Sequence, residues 1–142
     1  MRPASIVMFE RLFLASLVLS VVSFIINYDS MIRDLETQPG VAELGFGSGF
    51  AIGSMAIGLA IFLLLWFFIA RKGSSVAKWI LVVLLAISVI SLPGMLMGSW
   101  DLGVVLGLAV YALEIAATAY LFRADAAAWF RGERGADPAT FD

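Results

Sequence analysis

Residues 48–70 contain no charged side chain and almost no polar one. That run constrains the chain more than any other feature. A helix of this length and character is apolar on every side, so it has no face to offer water. It is also slightly longer than the roughly 20 apolar residues that span the hydrocarbon core of a bilayer. Three further stretches read the same way, at residues 6–26, 76–98 and 102–122. Composition agrees: 62% of the 142 residues are hydrophobic and 14% are charged. Soluble domains are about half apolar and about a quarter charged. A chain this short has no means of hiding that much apolar surface from water.

The sequence therefore predicts an all-α, polytopic membrane protein: an antiparallel four-transmembrane-helix bundle followed by a short C-terminal interfacial helix. Residues 1–123 form the transmembrane domain and residues 124–142 a juxtamembrane tail. The first span follows Arg2-Pro3 and resembles a signal-peptide core, but no small-x-small site follows it, so it is expected to remain. Residues 27–47 read as the longest loop, with Pro39-Gly40 as a turn and a short helix near residues 30–36 capped by Ser30. Pro93-Gly94 is expected to kink or end the third helix.

Basic residues set the orientation. Of the nine lysines and arginines, all but Arg33 fall on one side: Arg2, Arg11, Arg71, Lys72, Lys78, Arg123, Arg131 and Arg134. The positive-inside rule places that side, with both termini, in the cytoplasm. Trp66 and Trp79 then mark the inner interface, and Tyr28 and Trp100 the outer one. Arg11, Lys78 and Arg123 are expected to reach lipid headgroups by snorkelling. In the tail, Asp125 is expected to cap a short helix while Trp129 and Phe130 dip into the interface.

Several kinds of chemistry are excluded. Cysteine and histidine are both absent. That removes thiol redox chemistry, disulfides, the commonest metal ligand and the commonest general base. No phosphate-binding glycine loop, nucleophile elbow, metalloprotease motif or paired metal carboxylates occur. No cofactor, no metal and no enzymatic activity are expected. The lack of a basic run argues against nucleic acid as a partner.

Glu114 is the most informative single residue. A charge at the centre of a span costs about 2.5–3.5 kcal/mol on insertion scales, against a gain of about 0.3–0.6 for each large aliphatic residue. At 100° per residue, Gly103, Gly107, Glu114, Ala117 and Thr118 share a helix face. Glu114 thus points toward other helices. It is either a proton or cation site or a neutral carboxyl that fixes helix register. The sequence favours the register role, because Glu114 stands alone at its depth. Ser16, Ser20, Ser23 and Asn27 share a face of the first helix. They either line a thin polar path or bond back to their own helix, and the second is the simpler account. Arg11 is a candidate partner for Glu114 from a neighbouring helix.

Small residues mark close helix contacts. Gly45, Gly49 and Gly53, continued by Ala56 and Ala60, form a small-xxx-small stripe on the second helix, and Gly103 and Gly107 form one on the fourth. Packing within the chain is the simpler reading of the first stripe, and contact between chains the other.

The motifs Arg2-Pro3 with Phe9-Glu10-Arg11-Leu12, Ser75-Val76-Ala77-Lys78-Trp79-Ile80, and Leu121-Phe122-Arg123-Ala124-Asp125 leading to Ala128-Trp129-Phe130 resemble those of small four-helix bacterial inner-membrane proteins of unassigned function. The resemblance covers nearly the whole chain. It implies the topology and a bacterial plasma membrane, and no activity. Lys78 and Ala124 stand where such proteins often carry arginine and proline.

Together these features predict a non-enzymatic accessory or self-associating membrane protein that works through helix–helix contact. Its expected partners are the lipid bilayer and a second copy or another membrane protein. The alternative is a small-solute or proton-coupled transporter that uses Glu114.

Overall fold

The computed structural model describes residues 2–41, 43–45 and 47–132, and its regular elements there are five helices: α1 (Ala4–Thr37), α2 (Ser48–Lys72), α3 (Ser75–Leu96), α4 (Leu102–Tyr120) and α5 (Ala124–Phe130). The first four are long and apolar enough to cross a membrane. Arg134 and residues 135–142 lie outside the described residues.

The largest departure from the sequence reading is α1. It does not stop near residue 26 but runs unbroken for 34 residues, about 51 Å at the helical rise. Ser30 is therefore interior to α1 and caps no separate helix. The reason is local. No proline or glycine interrupts residues 4–37. Asn27 Nδ2 donates to Ser23 O (2.8 Å), Arg33 Nε to Asp29 O (3.2 Å) and Thr37 Oγ1 to Asp34 O (3.0 Å). Polar side chains thus reinforce the helix they were expected to end. Pro39 supplies the stop, since the residue before a proline is pushed toward extended backbone, and Gln38 has ψ 124°.

The other boundaries fall close to expectation. Gly73 takes the left-handed conformation at φ 65°, and Ser74 N–H reaches back to Phe68 O at 3.0 Å to close α2. The Ser74 hydroxyl then caps α3 by accepting from Ala77 N (3.2 Å). Asp101 caps α4 through Val104 N (2.9 Å). Pro93 lies inside α3, which continues to Leu96.

The helices touch in a ring, α1 to α2 to α3 to α4 and back, with α1–α4 the most extensive contact. Contacts sort the elements into two ends. At one, Glu10 of α1 meets Arg71 at the end of α2, Ser5 meets Asp125, and Lys78 at the start of α3 meets Phe122 and Phe130. This is the basic end. At the other, Asn27 lies against Gly103 at the start of α4, and Met95 of α3 against Gly107. This is the acidic end.

Packing is uneven between them. The buried cluster comprises Ile6, Phe9, Phe13 and Leu17 of α1, Leu65, Ile69 and Ala70 of α2, Ala77 and Leu81 of α3, Ala117 and Leu121, with Ala126 and Trp129 of α5. Phe9 and Phe13 stack at 5.2 Å, and Phe13 meets Phe62 at 6.1 Å. All of these residues belong to the basic half. Elsewhere the large apolar side chains face outward: Ile57 is 64% exposed and Ile90 78%.

Candidate functional site

Where the core ends, a cleft begins. It has a volume of about 770 Å³ and takes side chains from all four long helices. From α1 come Ser20, Ser23, Asn27, Ser30 and Asp34, successive positions down one face of the helix. Gln38 follows at its end, so the cleft extends along about 27 Å of chain. The α2 helix contributes Met55 and Phe62, and α3 contributes Ser88 and Met95. Glu114 and Tyr111, one turn apart on α4, complete the interior, and Asp101 stands at the acidic end.

The carboxylate of Glu114 has no hydrogen bond or ion pair among the described residues. It is half-buried and faces the cleft. Arg11 does not supply the partner considered from sequence, and is exposed. Its neighbour Glu10 is the residue that pairs, held by Arg2 and by Arg71 at 3.4 Å.

Of the polar candidates in the spans, Ser20, Ser23 and Glu114 meet in the cleft, whereas Ser16 and Thr118 are buried and do not line it. Ser16 Oγ donates to Phe13 O (2.7 Å) and Ser20 Oγ to Ser16 O (2.9 Å). Both expected roles coexist at Ser20, which bonds back to the helix and also lines the cleft, whereas Ser16 only bonds back and Ser23 only lines. Tyr111, Ser88, Asp34, Asp101 and Gln38 were not singled out from sequence. Tyr111 was within reach, being three residues before Glu114 on the same face. Ser88 was not, as one serine in an apolar run carries no signal.

The two glycine stripes separate. A methyl group on Gly103 would lie 2.6 Å from Asn27 Oδ1, and one on Gly107 would meet the Met95 side chain. The missing side chains at these glycines leave room for Asn27 of α1 and Met95 of α3 against α4. Gly49 and Gly53 have nothing within 4 Å, so packing within the chain does not account for them among the described residues. Gly45 is not on α2 at all. It precedes the helix in a turn with φ +71°.

The interfacial residues divide as well. Trp79 and Trp100 are exposed. Lys78 Nζ sits among three rings, 4.7 Å from Phe130, 5.0 Å from Phe122 and 5.4 Å from Trp79. Arg123 lies over Tyr120 at 5.7 Å. Trp129 corrects its expectation: it is buried, and its indole N–H donates to Ile69 O at 3.1 Å. Asp125 also differs. It makes no cap for α5 and instead accepts from Ser5 N (3.0 Å) and Ser5 Oγ (2.7 Å). Those two bonds, the backbone one foremost, hold its carboxyl below the usual aspartate range. The cause of both corrections is the same. The chain turns back at Arg123, so α5 docks on the helix ends.

Three or more metal-binding side chains do not come together anywhere among the described residues. No protein-family model, no curated protein and no solved structure matches the chain.

Proposed function

We propose that this chain crosses a bacterial inner membrane four times as an antiparallel helix bundle, with both termini in the cytoplasm, and that its cleft binds a small solute at Glu114 for passage across the membrane. Outward-facing side chains such as Ile57, Val83 and Ile90 support the membrane assignment, because they have no covering and need hydrocarbon around them. The gathering of Arg2, Arg11, Arg71, Lys72, Lys78 and Arg123 toward one end supports the orientation.

The observation that carries the solute reading is an open cleft that reaches an unpaired carboxylate in the interior of α4. A carboxyl that served only to fix register would be hydrogen-bonded to a neighbouring helix, and Glu114 has no such bond to any described residue. Ionisable groups at such depth that face a cavity mark solute and ion pathways. Because the core fills the basic end, transport requires that end to part in turn. In proteoliposomes, Glu114→Gln is expected to abolish solute-dependent flux while leaving the fold intact by circular dichroism. Wild-type flux in the variant would remove the reading.

The bare stripe on α2 favours a second, compatible reading, self-association. Gly49 and Gly53 present a flat surface with no side chain against it. Replacing both with leucine is expected to reduce crosslinking between copies in detergent. Unchanged crosslinking would count against it.

A further inference from the structure

The hydrogen-bonding state of the cleft narrows the class of solute. A hydroxyl or amide in a cavity offers either hydrogens or lone pairs, and which it offers depends on where its hydrogens are already used. Ser20 Oγ donates to Ser16 O at 2.9 Å, and Ser88 Oγ donates to Leu84 O at 2.9 Å. Asn27 Nδ2 donates to Ser23 O at 2.8 Å, and Tyr111 Oη to Ser88 O at 3.4 Å. In each case a helix carbonyl takes the hydrogen and the oxygen is left to accept. Glu114 adds carboxylate oxygens with no partner among the described residues. Among these deeper groups, the Ser23 hydroxyl alone retains a hydrogen without a described acceptor.

Charge points the same way. Asp34, Asp101 and Glu114 line the cleft, and no lysine or arginine does. Apart from Ser30 and Gln38 toward the acidic end, the rest of the wall is apolar or aromatic, with Phe24 and Phe62 available to flank an organic group.

From this acceptor-rich, carboxylate-bearing cleft we infer that the solute is an organic ammonium ion carrying N–H donors, its nitrogen directed to Glu114 and its apolar part against Phe24 and Phe62. The inference rests on the proposed solute site. An anion would meet three carboxylates and mostly lone pairs, its donors limited to the Ser23 hydroxyl and, nearer the acidic end, Ser30 and Gln38. A neutral alcohol would satisfy few of the acceptors. A quaternary ammonium would keep the charge attraction and the contact with ring faces but would offer no hydrogens.

The test uses the full-length protein in lipid nanodiscs, with binding heats measured by titration calorimetry and empty nanodiscs subtracted. Four probes share one ring and differ in head group: benzylammonium, benzyltrimethylammonium, benzyl alcohol and benzoate. Benzylammonium is expected to bind best, with benzyltrimethylammonium about tenfold weaker, the equivalent of one charge-assisted hydrogen bond. Benzyl alcohol and benzoate should bind no better than to empty discs. Glu114→Gln should weaken benzylammonium by at least about tenfold. Ser88→Ala, which keeps the charge and serves if Glu114→Gln misfolds, should weaken benzylammonium a few-fold and leave the quaternary probe unchanged. Binding of benzoate or benzyl alcohol as tightly as benzylammonium, lost in Glu114→Gln, would overturn the ammonium inference and keep the solute site. Equal affinity for the two cations would overturn the requirement for N–H donors. No binding by any probe, or binding indifferent to both substitutions, would overturn the site as well.

Discussion

The two ends of this molecule are built from the same kinds of helix and packed in opposite ways. At the basic end, α1, α2, α4 and α5 close over stacked phenylalanines, and polar contacts fasten the seam: Arg2 and Arg71 on Glu10, Ser5 on Asp125, Trp129 on Ile69. At the acidic end α1 and α4 still touch where Asn27 meets Gly103, but a cleft lined in part by oxygen atoms opens beside that contact. The difference shows where the chain places its stability and where it leaves room to bind. Side chains that fill space sit at one end, with hydrogen bonds that are satisfied except at the buried Trp66 indole N–H. At the other they bond back to their own helices and leave lone pairs facing the gap.

If this contrast is right, truncations at the two ends should differ most. Phe13→Ala, in the closed core, is expected to cost about 3–5 kcal/mol. Phe24→Ala, on the wall of a cleft that is already open, should cost about 1 kcal/mol or less. Unfolding in mixed detergent micelles compares them, and equal losses would break the distinction. Overpacking sharpens it next. Gly103→Leu must displace Asn27 and is expected to cost about 1–3 kcal/mol, whereas Gly53→Leu points into open space and should stay within about 0.5 kcal/mol. A large monomer destabilisation from Gly53→Leu would show that α2 has an intramolecular partner after all.

A smaller effect is expected at the α5 dock. Trp129→Phe keeps the ring and removes the bond to Ile69 O, a loss of about 1 kcal/mol. It should raise proteolysis between α4 and α5 before it alters the unfolding of the bundle. Unaltered cleavage would mean that the indole bond does not hold α5. The smallest effect belongs to pH. Asp125 titrates lower in the fold than in the unfolded chain, where the usual value is about 3.9. The folded state therefore binds fewer protons, and the contribution of this carboxylate is complete above that value. It is lost as pH falls through the depressed folded value. Acidification below about pH 4 should loosen α5, visible in Trp129 emission once Trp66, Trp79 and Trp100 are replaced by phenylalanine. Asp125→Asn should remove that acid dependence, and an unchanged acid response in the variant would assign it elsewhere.

Much of the fold was legible in the sequence. The uncharged run at 48–70 appears inside α2, and the expected spans at 76–98 and 102–122 nearly coincide with α3 and α4. The misreading of α1 came from taking Asn27 to Ser30 as loop-forming polarity. Polar side chains need not break a helix, and here Asn27, Arg33 and Thr37 donate to carbonyls of their own helix. The candidate site was half legible. Glu114 and the serine face of α1 were both visible, but their meeting was not. Sequence treated the serines as bonding either to their own helix or to a path, and did not allow for one hydrogen satisfying the helix while the oxygen lines the cleft.

The linear chain settled how many apolar helices there would be and most of their boundaries, the end of α1 excepted, because propensity and transfer from water accumulate residue by residue along a segment. It did not settle how those helices are rotated about their axes. A helix that is apolar on nearly every side carries no amphipathic stripe to say which face turns inward. That choice came from packing: Gly103 admitting Asn27, Gly107 admitting Met95, and phenylalanines filling one end. With the rotations fixed, Glu114, Tyr111 and Ser88 came to share one cavity with the serines of α1. Only the tertiary structure could bring them together.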